Sequence, residues 1–155
     1  MNVDRSTLEN MIREILADKL GSSNCSHNSL LRNVTSSGVI SVKVPNVQVT
    51  EDDRLNTGVP GDIVYTKDVF SLAESPRLGC GVMEMKNTTF DWTLNYDEID
   101  YVIEGTLSIL INGECATANA GELVLIPKGS KIKFSVPDYA RFIYVTYPAD
   151  WASQQ

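Results

Sequence analysis

After Val39 the chain has a regular rhythm that narrows its fold more than any other feature. Short runs of β-branched and other apolar residues alternate with turn signals every 8–12 residues or so, the pattern of an all-β sandwich or barrel. Val39, Val42, Val44, Val47 and Val49 supply the first strand material, followed by Ile63-Val64-Tyr65 and by Leu78 to Met85. Leu107 to Ile111 and Glu114 to Thr117 flank Asn112-Gly113. That dipeptide predicts a two-residue hairpin, because a type I′ turn needs positive φ at both central residues. Leu123 to Ile126 stops at Pro127-Lys128-Gly129, and Lys131 to Val136 and Arg141 to Tyr147 complete the set. No helical period of any length follows residue 40.

The first 38 residues read differently. Leu8, Met11, Ile12, Ile15, Leu16 and Leu20 form one apolar helical stripe, and Ser6 with Glu9 has capping-box spacing. Gly21 suits the left-handed residue that ends a helix. Residues 1–20 are therefore expected to be an amphipathic helix. Residues 21–38, with Gly21-Ser22-Ser23-Asn24 and Thr35-Ser36-Ser37-Gly38, are expected to be a flexible tether, and 39–155 the barrel. An isolated helix of this length is marginal in water, so its stripe needs a surface: its own barrel, a dimer mate or another protein.

The net charge of −7 argues against a nucleic-acid surface, which needs clustered Lys or Arg. No apolar run approaches the ~20 residues of a membrane span, and the charged start Met1 to Arg5 is unlike a secretory signal. Three scattered cysteines, Cys25, Cys80 and Cys115, offer no zinc spacing and no disulfide framework, which fits a reducing cytoplasm. Cys80 and Cys115 are expected to be small buried strand residues.

Two stretches carry a further signal. One runs from Tyr96 through Glu98 to Gly105, and the other from Gly121 to Pro127-Lys128-Gly129. Together they resemble the paired motifs of the cupins, small jelly-roll barrels whose motifs line the interior. Metal-binding cupins place two histidines shortly before the glutamate. Trp92 and Leu94 stand there, or Asp91 and Thr93 if the spacer is one residue longer. Ile132 occupies the place of the third histidine, and the sole histidine, His27, lies in the tether. A histidine-bound transition metal is therefore not expected, because neutral imidazole is the ligand such ions require.

A narrower likeness covers Ile63 to Trp151. Phe90 to Gly105, Ile126 to Ser130, Arg141 to Val145 and Pro148 to Trp151 resemble the ethanolamine-utilisation protein Q family. That resemblance implies a cytoplasmic protein of a bacterial microcompartment. It also implies an acetate kinase activity that interconverts acetate and ATP with acetyl phosphate and ADP. Residues 1–20 resemble the peptides that dock cargo on microcompartment shells, which makes shell or cargo proteins their expected partners.

The chemistry then depends on which way one strand faces. Glu98, Asp100 and Val102 share one face, and Ile99, Tyr101 and Ile103 share the other. Hydrophobic pattern alone puts the second set inside, whereas the cupin motif puts the first set inside. A one-residue slip exchanges the two. With the acids inside, they meet a pocket walled by Trp92, Leu94, Ile132 and Phe134, and a second copy of the chain covers the exposed Ile-Tyr-Ile face. Two carboxylates so placed raise each other's pKa, act as acid and base, or share a hard cation. For the implied kinase, Glu98, Asp100 and Asp97 would hold magnesium with the nucleotide phosphates. Tyr96 and Trp92 would line the site, and Lys86, Arg77, Lys128 or Arg141 would face the phosphoryl group. The chain lacks a Walker-type phosphate loop. The alternative is a non-catalytic cupin that assists compartment assembly or cargo loading. A third reading is a cupin that binds a sugar or small acid.

Overall fold

The computed structural model describes residues 31–154, so the expected helix over residues 1–20, Cys25 and His27 lie outside the described residues. The chain divides into two compact units, Met1–Asn46 and Val47–Gln155. In the first, β1 (Arg32–Val34) pairs antiparallel with β2 (Ile40–Val42). The turn is closed by Thr35, whose hydroxyl accepts the Val39 N–H at 3.0 Å. This differs from a flexible tether ending at residue 38. The reason is local: a Ser-Ser-Gly turn with Gly38 at φ +85° lies between β-branched residues, which favours a hairpin.

The second unit holds a six-stranded antiparallel sheet: β3 (Ile63–Asp68), β4 (Gly79–Thr93), β5 (Asp97–Ile111), β6 (Glu114–Asn119), β7 (Leu123–Ile126) and β8 (Lys131–Tyr147). The order is β3-β4-β8-β5-β6, and β7 pairs with β5 on the edge away from β8. In the first unit a short 3₁₀ turn, Val44–Asn46, occupies ground the sequence reads as strand, and in the second another, Glu51–Asp53, precedes β3. Among the described residues no helix is long and apolar enough to cross a membrane.

Three of these strands run for 15 to 17 residues, longer than the short runs the sequence predicts. Each joins two of those runs through a break in register. On β4 the break follows Lys86, at Asn87 with φ +46°. The buried residues Met83 and Met85 lie before it, and Thr88 and Phe90 after it, so the inward face switches from odd to even numbers. On β5 the switch runs the other way, from Asp100 and Val102 to Leu107 and Ile109. Gly105 lies in that bend at φ +77°, and a Cβ there would overlap the Tyr139 carbonyl. On β8 the bend holds Pro137 and Asp138, which have no partner on β4. Asn112 and Gly113 form the β5–β6 turn with φ of 50° and 83°, as the dipeptide predicts. One core fills the interior, with Phe90, Leu94, Val102, Leu107, Ile132 and Phe142 among its members.

Candidate functional site

On β5 the acids win the inner face. Glu98 is 5% exposed and Asp100 0%, whereas Ile99, Tyr101 and Ile103 are 44%, 42% and 37% exposed. Hydrophobic pattern fails here because the strand's outer face is itself apolar. Register continues the arrangement: Ile99 and Tyr101 lie opposite the exposed Leu125 and Leu123 of β7.

Glu98 lines a cavity of about 20 Å³, open on one side. That is room for one water-sized group. Phe90, Trp92 and Phe134 form one wall, with Phe90 stacked on Phe134 at 5.5 Å and edge-on to Trp92 at 5.8 Å. Tyr96, Tyr144 and Trp151 form the other, with Trp151 centred 6.1 Å from Tyr96 and 6.0 Å from Tyr144. The walls are tied together by Trp92 Nε1, which donates to the Tyr96 hydroxyl at 2.9 Å. The Tyr144 hydroxyl donates to Asp68 Oδ1 at 2.6 Å, and Trp151 Nε1 donates to the same oxygen at 3.4 Å.

Behind Glu98, neither carboxylate oxygen of Asp100 meets an N–H or hydroxyl donor among the described residues. The neighbouring Glu98 carboxyl is a partner only if one of the two acids is protonated. Burial and the Glu98 charge hold Asp100 well above the usual carboxylate range, so Asp100 keeps the proton and donates it to Glu98. Burial raises Glu98 to about 7, opposed by the bonds it receives from Asp100 and Tyr96. Burial and the Glu98 charge also push the Tyr96 hydroxyl up. The pair can therefore take up or release a proton near neutrality, and it attracts cations.

The structure brings Glu98, Asp100, Tyr96 and Trp92 together. Trp92 and the buried Leu94 take the inner histidine positions, with Ile132 opposite Trp92 on β8, while Asp91 and Thr93 face outward. The other predicted residues lie elsewhere. Asp97 is exposed, and its Oδ1 accepts the Lys128 backbone N–H at 2.9 Å, which fixes the turn after β7. Arg77, Lys86 and Lys128 are exposed, and none lines the cavity. Arg141 is buried, ion-paired with Glu84, and donates to the Val47 carbonyl at 2.5 Å. Cys80 is half-buried, and Cys115 is exposed rather than buried, because the outer face of β6 is open. Among the described residues no three His, Cys, Asp or Glu side chains are grouped to hold a metal ion.

Sequence reasoning missed Tyr144 and Trp151. Tyr144 was legible, because it continues the even-numbered inner face of β8 from Ile132 and Phe134. Trp151 follows the last strand, where no periodicity applies.

A family model described as ethanolamine utilisation protein EutQ matches residues 3–153. The chain belongs to the EutQ family. It is 63% identical over 153 residues to a Clostridioides difficile protein named acetate kinase EutQ, covering 99% of this chain and 97% of that one. A Salmonella typhimurium protein of the same name is 37% identical over 94% of this chain, which spans 61% of that relative's length. Among solved structures, the Clostridium difficile EutQ protein superposes with a TM-score of 0.79 at 72% identity, covering 81% of this chain and 91% of that one. The cupin domain of Schizosaccharomyces pombe Cnp3 superposes with a TM-score of 0.54 at 13% identity, covering 74% of this chain and 77% of that one. This EutQ protein thus has the all-β jelly-roll fold of the cupins.

Proposed function

We propose that this EutQ protein acts in ethanolamine utilisation as an acetate kinase, moving a phosphoryl group between ATP and acetate. The reading is supported by the name carried by the 63% identical relative, which matches almost end to end. The structural observation that carries it is the inward Glu98–Asp100 pair. Both acids are hard oxygen donors of the kind magnesium takes, but only Glu98 lines the cavity. One carboxylate suits a magnesium ion whose other positions are filled by water and nucleotide phosphates. Glu98 would hold that ion, which when bound offsets the charge of the phosphates. Asp100 supplies the proton that lets Glu98 stay buried. Tyr96, fixed by Trp92, orients the Glu98 carboxylate, and the rings keep bulk water from it.

The test is a coupled assay for acetyl phosphate, with and without magnesium, on wild type and Glu98→Gln. Loss of magnesium-dependent turnover in a folded Glu98→Gln variant is expected. Undiminished turnover in that variant would remove Glu98 from the reaction.

A second reading, a non-catalytic cupin that assists microcompartment assembly or loading, draws on one observation. Among the described residues no Lys or Arg lines the cavity of about 20 Å³. In both readings residues 1–20 dock on shell or cargo proteins. A chain lacking residues 1–20 keeps kinase activity in dilute solution under the first reading. Under the second it has none to keep and no longer partitions with the compartment.

A further inference from the structure

The Glu98 cavity has an electrostatic character that neither reading uses. Its walls are six aromatic rings with Leu55, Thr66 and Met83, and among the described residues its only charged lining group is a carboxylate. Asp100 stands behind that carboxylate, and Asp68 holds Tyr144 and Trp151 from the other side. Every charged group tied to this cavity is therefore an acid. Buried charges are ordinarily paired, and one without a partner is costly. Tryptophan and tyrosine rings attract cations through their quadrupoles, most strongly where water is excluded.

We infer that the cavity binds a small primary ammonium ion, with its nitrogen at the Glu98 carboxylate and its carbon stub against the rings of Trp92, Tyr96 and Trp151. Size selects the head group. The enclosed space of about 20 Å³ matches one –NH₃⁺. Charge selects the sign, since an anion here would meet Glu98 with no Lys or Arg among the described lining residues. The lining suits an organic cation, because the Trp and Tyr rings attract the charge and also cover the carbons. A primary amine carries three N–H donors for the acceptor sites Glu98 has left beyond Asp100 and Tyr96, and its methylenes suit the aromatic walls. The family's description makes ethanolammonium the natural probe.

This inference goes beyond the kinase reading and does not depend on it. The test titrates the full chain, without nucleotide or magnesium, with ethanolamine hydrochloride at constant ionic strength. It follows tryptophan fluorescence and binding heat at about pH 8, where Glu98 is charged and the amine still protonated. Ethylene glycol, the neutral analogue, and sodium acetate, the anion, are titrated in parallel. Saturable binding of ethanolammonium is expected, at least about tenfold tighter than either control, a gap of about 1.4 kcal/mol. Glu98→Gln and Trp151→Leu should each weaken it by about tenfold or more. Trp151→Leu leaves the acid pair intact and keeps the test open should Glu98→Gln fail to fold. Acetate or the diol binding as well as the amine would overturn the inference, as would no saturation by the amine. Unchanged affinity in a folded variant would do the same. The acetyl phosphate assay is a separate readout, so either idea can fail alone.

Discussion

At the scale of the residue, the protein keeps one buried charge in play and spends another on structure. Glu98 is raised to about 7 from an ordinary 4.5, chiefly by burial. A folded state that holds a proton more tightly than the unfolded chain gains stability below the unfolded pKa and loses it as pH rises through the folded one. Glu98 therefore costs stability progressively between about pH 4.5 and 7. Gln at this position has no proton to lose. The difference in unfolding free energy between Glu98→Gln and wild type should grow in favour of the variant across that window, by a few kcal/mol, then level off. Parallel pH profiles of the two in denaturant melts would contradict this. Asp100, Tyr96 and Tyr144 all face the same cavity region, but each is pushed up and stays protonated across the window. Arg141 works in the opposite sense. It is buried against Glu84 and the Val47 carbonyl, where it holds the chain entering the barrel. Arg141→Ala leaves Glu84 without its partner and should cost about 3–5 kcal/mol in denaturant melts, with little change in ligand binding.

At the scale of the element, β5 carries both the site and a surface. Its outer residues Ile99, Tyr101 and Ile103 adjoin Leu123 and Leu125 of β7, and all five are exposed. An exposed apolar face of this kind, built of paired rows, suits a second copy of the chain across a two-fold axis. We therefore propose a homodimer through this face. Tyr101→Lys with Leu125→Asp should convert a dimer to a monomer in light scattering without unfolding, and an unchanged mass would place the contact elsewhere. The elements were legible in part. Asn112-Gly113 disclosed its hairpin, and the spacing of Glu98 and Gly105 disclosed the inner face against the hydrophobic pattern. The long strands were not legible, because alternation shows only short runs and does not reveal that Asn87, Gly105 and Pro137-Asp138 are bends inside continuous strands. The cavity was half legible. Alternation finds Phe134 and Tyr144, but Trp151 arrives by tertiary folding alone. Charge counting in the sequence nominated Lys86, Arg77, Lys128 and Arg141, and nothing in their spacing says that they lie away from the acids.

At the scale of the molecule, this cupin fold holds a proton between two carboxyls, inside rings of tryptophan, tyrosine and phenylalanine. Trp92, Leu94 and Ile132 replace the nitrogen donors with apolar surface, which lowers the local polarity and raises the acids. The kinase proposal and the ammonium proposal both depend on that buried pair being inside the barrel and sharing its proton. A direct measurement is the titration of the Glu98 and Asp100 carboxyl carbons by NMR in ¹³C-labelled protein. The account predicts one step near neutrality for the pair, centred on Glu98, with the Asp100 signal remaining that of an acid well above the usual range. Two independent carboxyls losing their protons at about pH 4, as in water, would contradict it.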